Sequence, residues 1–329
     1  MHVLAGDIGG TKTSLAIYEL APAPTAPARL LRSARFPSQG PGLLPIVEQF
    51  LAAGEQRLAA AGFAVAGPVI AGHCKTTNLP WELDAAELSA ALRVPAALMN
   101  DFHGVALGVG ALPDDQLEFF NRSADERDRD GVVAVIGAGT GLGEAMLVPT
   151  TGGPRVLASE GGHCDFAPRD DLEIDLLRHL LGRHARVSYE RVVSGPGLVA
   201  LYEFLVVRGH APEQASTRAR MAAEAPAAVV GELGVRGDDL ACARAVDLFA
   251  GLYGAEAGNL ALKCLPTGGL YLAGGVGLHL RPRLRERFMA GFLAKGRMTP
   301  LLHTIPVALV LDGEVGRRGA AVAAAALLA

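Results

Sequence analysis

The chain contains 329 residues with a formal net charge of −4, and half of its residues are hydrophobic. This length accommodates two domains with separate cores, while the small net charge gives no electrostatic footprint for nucleic acid or an anionic membrane. Asp7 interrupts the amino terminus before a signal sequence could form, and the apolar stretch 320–329 is too short to cross a bilayer. We therefore expect a cytoplasmic protein whose partners include neither nucleic acid nor a membrane.

The first predicted element is a β-hairpin that encloses a glycine turn. Residues 3–5 and 14–18 are predicted strands, and Asp7-Ile8-Gly9-Gly10-Thr11 connects them. The Pro/Ala-rich stretch 21–27 is predicted to be a surface loop. Residues 43–61 show helical spacing of their apolar side chains, which predicts a helix over that range.

The next predicted elements lead to a pair of polar residues. Residues 63–70 are predicted to form a strand that is interrupted at Gly67-Pro68. Asp84 and Glu87 have the spacing of a capping box, which predicts a short helix through Arg93. Residues 95–99 are then predicted to be a strand that ends at Asn100-Asp101. Ligands commonly bind at the carboxyl ends of strands in open α/β sheets, so this pair is a candidate for chemistry.

A second hairpin with a glycine turn opens the other half of the chain. Residues 132–136 and 142–148 are predicted strands on either side of Gly137-Ala138-Gly139-Thr140-Gly141, and a third glycine turn at Gly274-Gly275 follows a predicted strand at 269–273. Helices are predicted at 171–181, 197–207, 239–265 and 316–328, and a strand at 305–311. The mixture favours the α/β class, and the repeated hairpin suggests two domains of related topology with an active site in the cleft between them.

The two glycine-threonine turns together predict a phosphate site. Glycines let backbone N–H groups approach a ligand closely, and a threonine hydroxyl suits phosphate oxygens. A single such turn is most often just a hairpin turn. The second turn is not a dinucleotide-binding fingerprint, because Leu142 stands where the third glycine would be and the following stretch is apolar with no signal for the start of a helix. Neither turn is a Walker A loop, since neither is followed by Gly-Lys-Ser/Thr. Two turns therefore indicate a nucleotide-using enzyme that holds phosphate from both sides of a cleft.

Three polar clusters lie among glycines and apolar residues and are candidates for sugar binding. They are Asn100-Asp101, Glu160-Gly161-Gly162-His163-Cys164-Asp165-Phe166 and Tyr189-Glu190-Arg191. Sugar hydroxyls are both donors and acceptors, so a sugar pocket needs carboxylates, amides and imidazoles at fixed angles. Each cluster also has a structural interpretation: Asn100-Asp101 as a turn or helix N-cap, His163 as a satisfied polar residue, and Glu190 as a favourable charge near a helix start. The residues alone leave these alternatives open.

The whole pattern resembles the bacterial glucokinase family, the ATP-dependent hexokinases of the actin-like ATPase fold. The matching segments follow the family's order and cover nearly the whole chain: 6–11, Thr77-Asn78 with Trp81, 100–102, 137–143, 160–168, 190–197 and 273–276. The glycine hairpins alone indicate the superfamily, whereas the longer polar segments are more specific to the glucokinase branch. The resemblance implies a two-domain actin-like ATPase (ribonuclease H-like) fold with an active site in the cleft between the domains.

The resemblance also implies a role for each matching residue. Asp101 would be the general base that takes the proton from the 6-hydroxyl of glucose as this oxygen attacks the γ-phosphate of ATP. Glucose would be bound by Asn78, Asn100, Asp101, Glu160, His163 and Glu190. The ATP phosphates would be held by Asp7, Gly9, Gly10, Thr11, Gly137, Gly139, Thr140 and Gly141, with Gly274 and Gly275 near the adenosine. Asp7 would place the second cofactor, Mg²⁺, through water.

The implied product is glucose 6-phosphate, made in glycolysis, and the implied assembly is a homodimer. The predicted small domain contains residues 1–110 and 312–329, and the last helix is expected to pack back on its amino-terminal part. The predicted large domain contains residues 111–311. A kinase for another hexose and a non-catalytic sugar sensor are the alternatives. A repressor would need a DNA-binding module, for which the turn at Asp7 leaves no room, and a dehydrogenase would need the absent fingerprint. Residues 312–318 match the family poorly and are expected to lie away from the sugar-binding segments.

Overall fold

The computed structural model of the chain describes residues 1–20, 29–54, 56–76 and 79–328. The predicted loop at 21–27 and the predicted glucose ligand Asn78 therefore lie outside the described residues. The strands are β1 (His2–Ile8), β2 (Lys12–Glu19), β3 (Arg29–Pro37), β4 (Leu58–Val65), β5 (Val69–Ile70), β6 (His73–Lys75), β7 (Glu82–Asp84), β8 (Ala96–Asn100), β9 (Leu117–Phe119), β10 (Val133–Ala138), β11 (Leu142–Val148), β12 (Arg155–Ser159), β13 (Gly269–Ala273) and β14 (Val307–Val310).

The helices are α1 (Leu43–Leu51), α2 (Ala85–Leu92), α3 (Asp101–Gly110), α4 (Asp171–Leu181), α5 (Gly195–Val207), α6 (Ala215–Ala223), α7 (Pro226–Arg236), α8 (Leu240–Cys264), α9 (Gly275–Leu293), α10 (Thr299–Leu302) and α11 (Val315–Ala326). Short 3₁₀ turns at Gly161–His163 and Tyr189–Arg191 carry two of the predicted sugar-binding clusters. No helix in the described ranges combines the length and the apolar character that a membrane crossing requires.

The chain divides into two units. Unit 1 contains Met1–Pro113, Thr150–Ala158 and Glu314–Ala329, and unit 2 contains Asp114–Pro149 and Ser159–Gly313. This division differs from the predicted domains in Thr150–Ala158, which the prediction assigns to the large domain. The predicted domain boundaries otherwise stay a prediction.

Unit 1 is built on a sheet with the strand order β3-β2-β1-β4-β8. β1 and β2 form an antiparallel hairpin, and β4 and β8 continue the sheet parallel to β1. Side chains alternate along a strand, so Leu4 of β1 joins a cluster with Phe50 of α1, while Val3 packs with Ala320 of α11 on the other side. The carboxyl ends of β1 and β8 carry Asp7 and Asn100.

Helix α11 packs tightly on this unit because glycines line the contact. A Cβ added at Gly319 would lie 2.6 Å from the carbonyl carbon of Gly104 and 2.8 Å from the nitrogen of Gly108, both on α3. A Cβ added at Gly62 of β4 would lie 3.0 Å from the carbonyl carbon of Ala320. These positions leave no room for a side chain, so the backbones of α3, β4 and α11 touch directly.

The second sheet repeats the arrangement of the first. Its strand order is β12-β11-β10-β13-β14-β9, with an antiparallel β10–β11 hairpin and with β13 and β14 parallel to β10. The core of unit 2 centres on α8, where Phe249 and Tyr253 lie edge to face, and Tyr253 contacts Phe288 of α9. The predicted relationship between the two hairpins is confirmed at the level of strand order.

Most predicted elements are present, and one is wrong. The helix predicted over 43–61 ends at Leu51, and a strand begins at Leu58. That strand, β4, is a mostly buried parallel strand, and its continuous apolar run cannot be distinguished from a buried helix by periodicity. The sequence patterns predict no helix at α3, α6, α7, α9 or α10.

Candidate active site

The first glycine turn closes the β1–β2 hairpin and places Asp7 among other charged groups. The Gly9 N–H donates to the carbonyl oxygen of Lys12 at 3.0 Å. Burial raises the pKa of Asp7 from 3.8 to about 6, and the negative charges of Asp101 and Glu314 add to this rise. Lys12 and Arg317 partly oppose it. Three carboxyl groups of unit 1 therefore lie near enough to one another to interact electrostatically.

Residues 314–317 of unit 1 lie beside these carboxyl groups, and the sequence did not predict this contact. Ser14 Oγ donates to Glu314 Oε2 at 2.7 Å, and Arg317 Nη1 donates to the same hydroxyl oxygen at 2.9 Å. A Cβ added at Gly316 would lie 3.3 Å from Asp7 Oδ2. The segment that matches the family poorly thus contacts the residues around Asp7 in the first hairpin, while its expected separation from the sugar-binding segments stays a prediction. Its contacts are with residues about 300 positions away, so no local pattern could indicate them.

Asn100 and Asp101 lie where β8 ends and α3 begins. Asn100 caps the helix: its Oδ1 accepts from the Phe102 N–H at 2.9 Å, and its Nδ2 donates to the carbonyl oxygen of Gly67 at 3.0 Å. Asp101 Oδ1 also accepts from the Phe102 N–H, at 2.8 Å. Both ends of the Asn100 amide are engaged by the backbone, which favours the structural interpretation of this residue. Its observed role is to hold the segment that carries Asp101.

The second glycine turn, in unit 2, is bonded directly to a predicted sugar ligand. The turn is closed by the Gly139 N–H, which donates to the carbonyl oxygen of Gly141 at 2.8 Å. The Leu142 N–H donates to Glu190 Oε2 at 3.1 Å, and a Cβ added at Gly141 would lie 2.5 Å from the same oxygen. Glycine at 141 is thus explained by close approach of the carboxylate.

Glu160 and His163 lie in the same cluster as Glu190. The His163 Nε2 is 3.9 Å from Glu160 Oε2, and its Nδ1 is 3.8 Å from Glu190 Oε1. The imidazole is about half exposed, the Glu160 side chain is 83% exposed, and Glu190 is 28% exposed. The structure therefore brings together three of the predicted glucose ligands, with their polar atoms accessible.

The third glycine turn joins the same part of unit 2. Gly274 has a φ of +90°, and a Cβ there would lie 2.6 Å from the carbonyl oxygen of Ala138. Next to it is a cavity of about 610 Å³ lined mainly by small and aliphatic residues of α5, α7 and α9, with Gly139 at one end. The sequence did not predict the part played by α7, whose Ala227 and Gly231 lie four positions apart on the cavity side. A volume of this size is ordinary for small-molecule sites.

Comparison with known proteins agrees with this geometry. A family model described as Glucokinase matches residues 4–327. The chain belongs to the glucokinase family. A glucokinase of Trichormus variabilis is 43% identical over 342 residues, with 99% of each chain covered.

Solved structures of this family and its neighbours have the same architecture. A glucokinase from an Antarctic psychrotroph is 31% identical, covers 98% of each chain and gives a TM-score of 0.85. A ROK family glucokinase from Streptomyces griseus, solved in complex with glucose and AMPPNP, is 20% identical, covers 99% of each chain and gives a TM-score of 0.65. The predicted actin-like ATPase fold is confirmed.

Proposed function

We propose that the chain transfers the γ-phosphoryl group of ATP to the 6-hydroxyl of glucose, with Asp101 as the general base. Membership of the glucokinase family supports the class of reaction, since the chain is an ATP-dependent glucose kinase. The assignment of residues rests chiefly on the bond from the Leu142 N–H to Glu190. This bond joins a turn suited to phosphate to a carboxylate suited to a sugar hydroxyl, and phosphoryl transfer depends mainly on such positioning.

We assign glucose binding in unit 2 to Glu160, His163 and Glu190. The separations of 3.8 and 3.9 Å between the imidazole and the two carboxylates exceed hydrogen-bond length. These polar atoms therefore do not satisfy one another, and each can bind a sugar hydroxyl as donor or acceptor. Asn78 and Asn100 stay as proposed glucose ligands from the resemblance alone.

We assign the proton transfer to Asp101 in unit 1. Its carboxylate would accept the proton of the 6-hydroxyl while the oxygen bonds to the γ-phosphorus and the bond to the β–γ bridging oxygen breaks, which releases ADP. Asn100 supports this role indirectly, because its two backbone hydrogen bonds fix the start of α3. General-base assistance of this kind contributes about 10²–10⁴-fold in rate.

The carboxyl groups around Asp7 fit a hydrated Mg²⁺. Oxygen donors are the ligands that Mg²⁺ prefers, and the ion usually keeps several of its waters. Burial is the largest cause of the raised pKa of Asp7, and the negative charges of Asp101 and Glu314, which add to it, would favour a cation here. Within the described ranges, no three His, Cys, Asp or Glu side chains are grouped so as to hold a metal directly, so we assign Asp7 a contact through water. When bound, the ion would neutralise charge on the ATP phosphates.

We assign ATP to the glycine turns and to the cavity of unit 2. The turns at Gly9-Gly10-Thr11 and Gly137–Gly141 would offer N–H and hydroxyl donors to the phosphates. Gly275 begins α9 and also lines the cavity, so a nucleotide bound there would lie near a helix N-terminus, which favours the negative charge of its phosphates. We further propose, from the resemblance, that the enzyme is a cytoplasmic homodimer that supplies glycolysis.

The test is ADP production by the purified chain with Mg²⁺-ATP. Glucose, mannose, fructose and N-acetylglucosamine are compared with a control that lacks sugar. We expect strong turnover with glucose. Turnover only with another hexose would keep the mechanism and replace the substrate, and no sugar-dependent turnover would favour a sugar sensor.

The role of Asp101 is tested in the same assay with Asp101→Asn. We expect a loss of about 10²-fold or more in kcat, with little change in melting temperature, because general-base assistance is lost. Asp130→Asn, on the exposed connection before the second hairpin, is the matched control and should behave like the wild type. Near-normal turnover of Asp101→Asn would show that another group is the base.

A further inference from the structure

Two buried carboxyl groups lie beneath the glucose-binding cluster and have no assigned role. Glu144 on β11 and Glu256 on α8 are each only 1% exposed. A Cβ added at Gly161 would lie 2.8 Å from the carboxyl carbon of Glu144, so this carboxyl group packs against the backbone of the turn between Glu160 and His163. Glycine is required at 161 because the carboxyl group occupies the space of a side chain.

The two carboxyl groups are neighbours in the core of unit 2, since each contributes to the shift in the pKa of the other. The Oε1 atoms of both are buried and receive no hydrogen bond from the groups that the structure describes. A carboxylate has only acceptors, so a hydrogen bond between Glu144 and Glu256 requires a proton on one of them. A single shared proton satisfies the pair and leaves one negative charge, whereas two charges in this place would repel each other without solvent.

The remaining charge of the pair is partly compensated from the Glu256 side. Glu256 Oε2 accepts from Asn259 Nδ2 at 2.7 Å, and this Nδ2 also lies 3.2 Å from the hydroxyl oxygen of Tyr189. Lys295 Nζ donates to Asn259 Oδ1 and to the carbonyl oxygen of Ala255. Tyr189 directly precedes Glu190. The network therefore supports two of the glucose-binding segments, one through Gly161 and the other through Tyr189.

The charged and titratable groups around the pair come from several elements. They are Lys263, Tyr253 and Cys264 on α8, Tyr189 before α5, Lys295 after α9, and the Arg169–Glu173 ion pair near α4, which faces Lys295. Lys263 Nζ is 3.9 Å from Glu256 Oε1 and its side chain is 55% exposed, so it compensates the pair only weakly. Burial raises the pKa of Glu144 to about 8, with the charge of Glu256 as the second cause, and burial also raises the pKa of Glu256.

We propose that Glu144 is a positioning residue whose shared proton with Glu256 holds the glucose-binding turn, so that glucose affinity falls when this proton is lost in alkaline solution. The inference rests on the proposed function. Loss of the proton would leave two negative charges in the pair, and repulsion would move the Glu144 carboxylate, which packs against Gly161, and so displace Glu160 and His163. Glu144 itself would not touch glucose. The step is a simple acid dissociation, with the proton released to solvent.

The experiment measures KM for glucose and kcat for the full-length enzyme between pH 6 and pH 9.5. We expect KM to rise roughly fivefold between pH 7 and pH 9 and to approach about tenfold at higher pH, which corresponds to a pKa of about 8 for Glu144 in the free enzyme and a value about one unit higher in the glucose-bound enzyme. The kcat should change much less. In Glu144→Gln the amide is neutral at every pH and can donate to Glu256, so KM should stay near its neutral-pH value throughout. Glu256→Gln removes the negative charge of the other partner, so its KM for glucose should also be independent of pH. This second variant replaces Glu144→Gln in the test if Glu144→Gln folds poorly.

Cys164→Ser is the matched control, which tests whether a thiol beside the same turn causes the rise in KM. Thiols also ionise in alkaline solution, and Cys164 directly follows His163, so the serine variant must retain the rise in KM. Titration calorimetry provides a second readout, because glucose binding at pH 9 should take up a fraction of a proton in the wild type and none in Glu144→Gln. A KM that is independent of pH in the wild type, or an unchanged rise in both glutamine variants, would overturn the proposal. An enzyme that is inactive with glucose at pH 7 would instead refute the proposed function.

Discussion

The contact between α3 and α11 predicts that Gly319→Ala destabilises unit 1. The new Cβ would lie 2.6 Å from the carbonyl carbon of Gly104 and 2.8 Å from the nitrogen of Gly108. Ordinary contacts between heavy atoms are about 3.5–4.0 Å, and the carbonyl oxygen of Gly104 would lie closer still to the new Cβ, so the helices would have to separate by more than about 1 Å. A gap of about 0.5–1 Å already forfeits about a quarter to a half of each contact energy. Overpacking typically costs about 1–3 kcal/mol, against which alanine recovers up to about 1 kcal/mol of helix propensity. A net loss of about 2 kcal/mol is expected.

Thermal unfolding followed by circular dichroism checks this expectation. About 2 kcal/mol corresponds to a decrease of roughly 4–8 °C in melting temperature for a large domain. Gly251→Ala is the matched control, because it is also inside a helix but its Cβ would meet only Arg169 Nη2, at 3.7 Å. That variant should be as stable as the wild type or slightly more stable. Equal melting temperatures for Gly319→Ala and the wild type would refute the close contact between the helices.

Three further predictions concern unit 2. Gly231→Leu should fill part of the cavity and so raise KM for ATP several-fold, while KM for glucose stays unchanged. Steady-state kinetics with each substrate varied in turn measures both constants, and a rise in KM for glucose alone would contradict the assignment of the cavity to ATP. Glu190→Gln should raise KM for glucose about tenfold or more, because a hydrogen bond to a charged group contributes about 1.5–3 kcal/mol; an unchanged KM would remove Glu190 from the glucose ligands. The pKa of Glu144 is about 8 in the folded chain, compared with an ordinary value of 4.5. As pH rises from 4.5 to 8, the unfolded chain loses this proton while the folded chain keeps it, so the free energy of unfolding should fall over this range. Denaturation of Glu144→Gln should give a flatter dependence on pH, and parallel curves for the two proteins would contradict this.

The sequence predicted best those elements whose signals are local. The two hairpins were found because glycine turns separate short apolar runs, and the helix after Asp84 was found because a capping residue marks its start. Asp84 indeed accepts a hydrogen bond from the Glu87 N–H at 2.8 Å. The first residues of β4, 58–61, were assigned to a helix because a buried parallel strand has no alternation of polar and apolar residues, whereas its end was predicted as a strand.

The candidate site was predicted only where its residues lie in recognisable segments. Glu160, His163 and Glu190 matched a family pattern, and the structure brings their side chains together. Glu314 belongs to the site through contacts with Ser14, 300 positions away, and nothing near it in the sequence indicates those contacts. The cavity of unit 2 was not predicted for another reason: small residues such as Ala227 and Gly231 line it by leaving space, and empty space has no characteristic sequence pattern.

Because α11 covers one side of the sheet of unit 1, the order of synthesis determines when this unit can complete its core. Residues 314–326 leave the ribosome after the rest of both units, and at ordinary translation speeds of about 5–20 residues per second the first hairpin waits roughly 15–60 s for them. During that interval the alanine-lined side of β1 and β4 lacks its cover, and Asp7 lacks Glu314 and Arg317. Unit 1 therefore completes its core only after α11 has been synthesised, and a nascent chain that stalls before residue 314 lacks the helix that covers this side of the sheet.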